Sequence, residues 1–202
     1  NSELTLDALY FGAEPSTNPS TDPSTNPSTD PSTDPSTDPS TPIVPGDKSL
    51  ISKDPSDWTY DDSIIQVVNG EDGSLVLYNT NGQWPAATYL YDTPIIIDPA
   101  TASVSYDFTV PAGAQSSLLL FANDCTPEDY DGKEDRLIKL HTYMQGVNID
   151  GDSGDIIGDG IAVKGVLDLS TIDFPEACYN ADGTITLNAI RVFAVGAANA
   201  EI

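Results

Sequence analysis

The chain has 202 residues, with 32 acidic against 7 basic side chains, a net charge of −25 and a pI near 4.1. Such a field repels phosphate backbones and anionic lipid, so neither nucleic acid nor a membrane is expected as a partner. An apolar fraction of 39% can still build a core, while no apolar run approaches the roughly 20 residues that span a bilayer. With no initiator methionine before Asn1 and no signal peptide, the sequence reads as a processed mature chain or an excised segment.

Three parts follow in chain order: a strand over residues 1–13, a linker over 14–45 and a domain over 46–202. In the first, Leu4, Leu6, Ala8 and Tyr10 alternate with Thr5, Asp7, Leu9 and Phe11. That spacing predicts a β-strand, apolar on both faces toward its end.

The second part repeats the tetrapeptide Pro-Ser-Thr-(Asn/Asp), starting at Pro15, Pro19, Pro23, Pro27, Pro31 and Pro35, with a partial copy at Pro39. Proline at every fourth position removes a backbone donor each time and pushes the preceding residue to extended geometry. An extended, polyproline-II-like rod reaching roughly 80 Å is expected. Ser/Thr-rich sequence with proline is the composition of O-glycosylated stalks. The candidate acceptors are Ser16, Thr17, Ser20, Thr21, Ser24, Thr25, Ser28, Thr29, Ser32, Thr33, Ser36, Thr37, Ser40 and Thr41. Asn18 and Asn26 precede proline and are not N-linked acceptors.

The third part is predicted to be β throughout. Candidate strands are 63–68, 74–78, 87–91, 94–97, 103–110, 117–122, 136–144, 161–169 and 184–195. Turn signals such as Asn69-Gly70, Asp72-Gly73, Asn81-Gly82, Asp131-Gly132, Asp150-Gly151 and Asp182-Gly183 separate them. Many short strands without a 3.6-residue period predict an all-β, jelly-roll-like β-sandwich.

A lone strand is unstable in water and needs a sheet to join. The last strand, 184–195, is followed by a turn-like Gly196-Ala197-Ala198-Asn199, and Ala200-Glu201-Ile202 begin a further segment. Its sequence Ile185-Thr-Leu-Asn-Ala-Ile190 echoes Leu4-Thr-Leu-Asp-Ala-Leu9. The expected acceptor of the N-terminal strand is therefore Ile185, Leu187, Ala189, Ile190 and Val192. Burial of Leu4, Leu6 and Tyr10 would contribute roughly 2 kcal/mol each. The strand can be donated to a neighbouring subunit, complete the sheet within a long tandem array, or fold back on its own domain. Donation is favoured, because looping back makes little use of a rod.

Other candidate sites are weaker. Cys125 and Cys178 are expected to form a disulfide in a secreted protein, worth about 4 kcal/mol in the chain-entropy view. Asp150, Asp152, Asp155 and Asp159, with Asn148 nearby, make a glycine-punctuated loop suited to Ca²⁺ as a candidate cofactor, although the EF-hand order fails at Gly154. Asp124, Glu128, Asp129, Asp131, Glu134 and Asp135 form a second acidic loop. Trp58, Trp84, Tyr89 and Tyr91 raise a sugar-binding alternative, against the commoner use of such rings in a core. No motif selects a catalytic pair, and His141, the single histidine, reads as structural. No enzyme is expected.

The six copies of Pro-Ser-Thr-(Asn/Asp) before an acidic β module resemble the linkers of secreted bacterial modular surface proteins. They are similar too to extracellular glycofibrils whose tetrapeptide repeats carry dense O-glycans. The resemblance covers the linker and implies an extracellular, glycosylated filament or surface array whose partner is another copy or repeat of itself. The alternative is a carbohydrate-binding module tethered by a glycosylated linker in a polysaccharide-processing protein.

Overall fold

A computed structural model describes residues 3–13, 48–80 and 84–196; within 3–13 it describes the backbone and the side chain of Leu4. The described residues form twelve strands: β1 (Glu3–Ala13), β2 (Lys48–Ser49), β3 (Trp58–Thr59), β4 (Ile65–Asn69), β5 (Leu75–Asn79), β6 (Ala86–Ile97), β7 (Ala102–Thr109), β8 (Gln115–Ala122), β9 (Leu137–Lys139), β10 (Ile156–Ile157), β11 (Ala162–Asp168) and β12 (Ile185–Val195). Only 3₁₀ turns of three or four residues interrupt them. The all-β expectation therefore holds. The linker and its candidate glycosylation sites lie outside the described residues.

Two antiparallel sheets result. The first runs β11-β7-β1-β5-β4, with β2 pairing β1; the second runs β10-β8-β12-β6-β3, with β9 pairing β8. Alternation drives the partition. In β7, Val104, Tyr106 and Phe108 are buried while Ser105, Asp107 and Thr109 are half-buried. One apolar cluster contains Leu75, Leu77, Val104 and Phe108 of the first sheet together with Leu118, Leu120, Ile185 and Leu187 of the second. Turn chemistry closes the hairpins as the sequence predicts: Asp72 accepts from Ser74 N–H at 3.0 Å, and Gly73 takes φ +81°.

Two predicted elements differ. Segments 87–91 and 94–97 belong to a single strand, β6. Leu90 pairs with Ala189 and Ile95 with Leu187, so the four residues between them oppose Asn188 alone. Pro94, which has no N–H to offer, sits inside that irregularity, where none is needed. Segment 136–144 is the short β9 followed by a 3₁₀ turn, Leu140–Tyr143. The cause is His141. On the outer edge of β8, β10 pairs with residues 115–116 and β9 with 119–121. Between them the N–H of Leu118 donates to Nδ1 of the fully buried His141 at 3.1 Å. That fixes the proton on Nε2, which donates to Gly154 O at 2.9 Å. An imidazole thus fills a gap in the ladder and bridges to the 146–160 loop.

Candidate functional site

β1 is the middle strand of the first sheet. It pairs antiparallel with β7 along most of its length, with β5 over Glu3–Leu6, and with β2 at Tyr10 and Phe11. In this single chain it fills its own domain's sheet. Leu4 stands opposite Leu77 and is 2% exposed. Removing β1 would leave edges of β5 and β7 unpaired on either side of an empty slot.

The register along β1 shifts between Leu6 and Ala8. Leu6 stands opposite Phe108, but Ala8 is opposite Asp107, Leu9 opposite Tyr106 and Phe11 opposite Val104. Directly opposed residues share a face of the sheet. The positions of Leu4, Leu6, Leu9 and Phe11 therefore fall on the face of buried Phe108, Tyr106 and Val104. The positions of Ala8 and Tyr10 fall on the other, which corrects the expected set of Leu4, Leu6, Ala8 and Tyr10. One residue inserted at a bulge inverts the parity of everything after it. The side chains of Leu6, Ala8 and Tyr10 themselves lie outside the description.

The expected acceptor is also corrected. β12 pairs with β6 on one side and β8 on the other, so Ile185, Leu187, Ala189, Ile190 and Val192 offer no free edge. The sequence echo has another meaning. β12 carries a register shift at the corresponding place, between Leu187 and Ala189. Its core residues switch parity there, from Ile185 and Leu187 to Ile190, Val192 and Ala194. Asn188, at the position of Asp7, donates to the carbonyls of Asn123 (2.6 Å) and Cys125 (2.8 Å). The two similar segments are thus the middle strands of the two sheets and do not pair with each other.

The remaining expectations fare unevenly. Cys125 and Cys178 are free and buried, so the expected disulfide is absent. Cys125 packs with Phe121, Ala189 and Leu137 in a small separate cluster, while the Cys178 thiol faces Asp135 O at 3.5 Å. Burial first, then Asp135, pushes the Cys178 thiol up to about 11, so it is protonated and unreactive.

The first acidic loop does not gather its carboxylates. Asp150 is turned onto the N–H groups of Asp152 and Ser153, and their hydrogen bonds hold its carboxyl below the usual range. Asp155 faces inward, accepting from the Ser117 hydroxyl, with Lys139 Nζ at 3.8 Å. Asp159 accepts from Asn148 and from Ile161 N–H. In the second loop Lys133 and Arg136 neutralise Asp124, Asp129 and Asp135 at 2.8–3.6 Å. Among the described residues no group of three or more His, Cys, Asp or Glu side chains could hold a metal, so the calcium expectation does not fit.

The four aromatics do not make a platform either. Trp58 is 5% exposed and donates its indole N–H to Ser52 O at 2.8 Å. Tyr91 is buried and donates to Leu50 O at 3.1 Å. Tyr89 packs between those two rings at 5.7 and 5.4 Å, and Trp84 alone is exposed. Tyr143, Phe174 and Tyr179 come together instead, around an open cleft. No local pattern announces that cluster, because Tyr143 lies far along the chain from the other two.

No family model matches this chain, and no curated protein or solved structure does either.

Proposed function

We propose that this protein is a structural subunit of an extracellular, glycosylated filament or surface array. In it the β1 of each copy or repeat occupies the first sheet of the next. The domain is read as a jelly-roll-like β-sandwich, the strand as its plug and the Pro-Ser-Thr-(Asn/Asp) segment as spacer and glycan carrier. One observation carries the reading: the middle strand of a sheet is joined to the rest of its domain only through residues 14–47, which contain the repeat. A strand in that position can be exchanged between copies with every ladder bond retained. Such an exchange is heterologous and propagates head to tail. The repeat supports extracellular placement and O-glycosylation through its composition.

The test is deletion of residues 1–13, followed by light scattering and electron microscopy. The truncated protein is expected to form no filaments and to bind an added peptide of sequence 1–13. In excess, that peptide is expected to shorten filaments of the full chain. Filaments that form unchanged after the deletion would rule out strand exchange.

A further inference from the structure

The cleft noted above is built by two turns. The 3₁₀ turn that His141 anchors ends at Tyr143. The turn after Pro175 spans Glu176–Cys178 and leads into Tyr179. Phe174, 4% exposed, is the fixed point, with the rings of Tyr143 (5.6 Å, 70°) and Tyr179 (6.4 Å, 63°) set edge-to-face against it. The two tyrosines are half-buried, and exposed Asp173, Pro175 and Glu176 complete the lining. The cleft is about 580 Å³, within the usual range for small-ligand sites.

Its polar groups are unspent. Neither phenol hydroxyl and neither carboxylate has a hydrogen-bond or ion-pair partner among the described residues. Burial first, then neighbouring Cys178, Asp173 and Tyr179, holds the Tyr143 phenol above its ordinary value, so it keeps its proton to donate. Two carboxylates that only accept thus stand beside two hydroxyls that also donate, next to aromatic rings. A cation would satisfy the carboxylates and leave the phenol protons unmet; an anion would be repelled by the carboxylates. A pyranose matches the whole set: its hydroxyls donate and accept at the edge, and its C–H face lies on a ring.

We propose that the cleft formed by Tyr143, Tyr179, Asp173 and Glu176 binds a pyranose unit of a neutral glycan. The site is distinct from the β1 slot, and the proposal stands or falls independently of strand exchange.

The test is saturation-transfer NMR on the full chain with cellotetraose, mannotetraose and N-acetylchitotetraose, and with tetramethylammonium as the cationic probe. At least one sugar is expected to bind with a Kd in the millimolar range or below. The exposed-site variant Asp173→Asn/Glu176→Gln should weaken it by about ten-fold or more, and Trp84→Ala should leave it unchanged. Thermal melts check that each variant folds. No binding of any of the three sugars up to about 10 mM overturns the proposal. So does sugar affinity unaltered in the double variant, or a cleft that takes tetramethylammonium and no sugar.

Discussion

His141 is the residue whose chemistry reaches furthest. It is fully buried, accepts from Leu118 and donates to Gly154, a pattern that requires the neutral ring. Burial is the largest influence and lowers its pKa from the usual 6.5. The carbonyls of Gly154 and Leu118 and the carboxylate of Asp155 oppose that shift, and Lys139 adds to it. Because the folded value is below the unfolded one, the unfolded chain binds more protons below about pH 6.5. The stability tied to the neutral ring is complete above that pH and is lost as pH falls through the folded value. Within that window each pH unit should remove up to about 1.4 kcal/mol. Thermal melts from pH 8 to 5, with the single histidine followed by NMR, should show stability level above 7 and declining below 6.5. A level profile down to pH 5 would contradict this. The structural role of His141 was legible in the sequence, where no motif pairs it with a second catalytic group. The gap it fills was not, since that depends on where β9 stops and β10 begins along a strand some twenty residues upstream. Trp58 and Tyr91 were legible as large rings, but only their carbonyl partners at Ser52 and Leu50 show that they belong inside.

At the scale of elements, the bulge in β1 makes a sharp prediction. The apolar positions of the strand are Leu4 and Leu6 before it, Leu9 and Phe11 after it, and Asp7 supplies the extra residue. Inserting one alanine between Ala8 and Leu9 should turn the positions after it to the wrong face, at roughly 2 kcal/mol for each large apolar side chain displaced. Asp7→Ala keeps the count and should cost about 1 kcal/mol or less. Urea unfolding of the two variants compares them directly, and equal losses would mean that the bulge does not set the register. The parity change was present in the sequence as a strand apolar on both faces toward its end. Its matching change in β12 was present as the echo of Leu4–Leu9 in Ile185–Ile190. What the sequence could not show was how to interpret the likeness. Similar strands can be neighbours in one sheet or occupy equivalent places in two, and only the ladder partners decide. The same non-locality hid the cleft, whose rings come from turns more than thirty residues apart.

For the whole molecule, the all-β class followed from strand spacing and turn chemistry, and two antiparallel sheets bear it out. Charge governs what copies do to one another. With 32 acids against 7 bases, approaching copies repel over about a Debye length. Association should therefore speed up as ionic strength rises from about 10 to 150 mM, followed by light scattering. Slower association in salt would instead point to a contact made by opposite charges. The position of β2 has a separate mechanical consequence. Phe11 near the end of β1 stands opposite Lys48 at the start of β2, so the incoming strand and the receiving chain leave the sheet at one place. In a strand-exchanged thread each bead would hang from a single point of attachment and would not lie in line with the pull. Tension would open the β1–β2 pair first and then peel β1 away rung by rung, because the load meets the ladder as a zipper and not in shear. A thread joined this way yields progressively under a slow pull, and each bead can close again when the load is released.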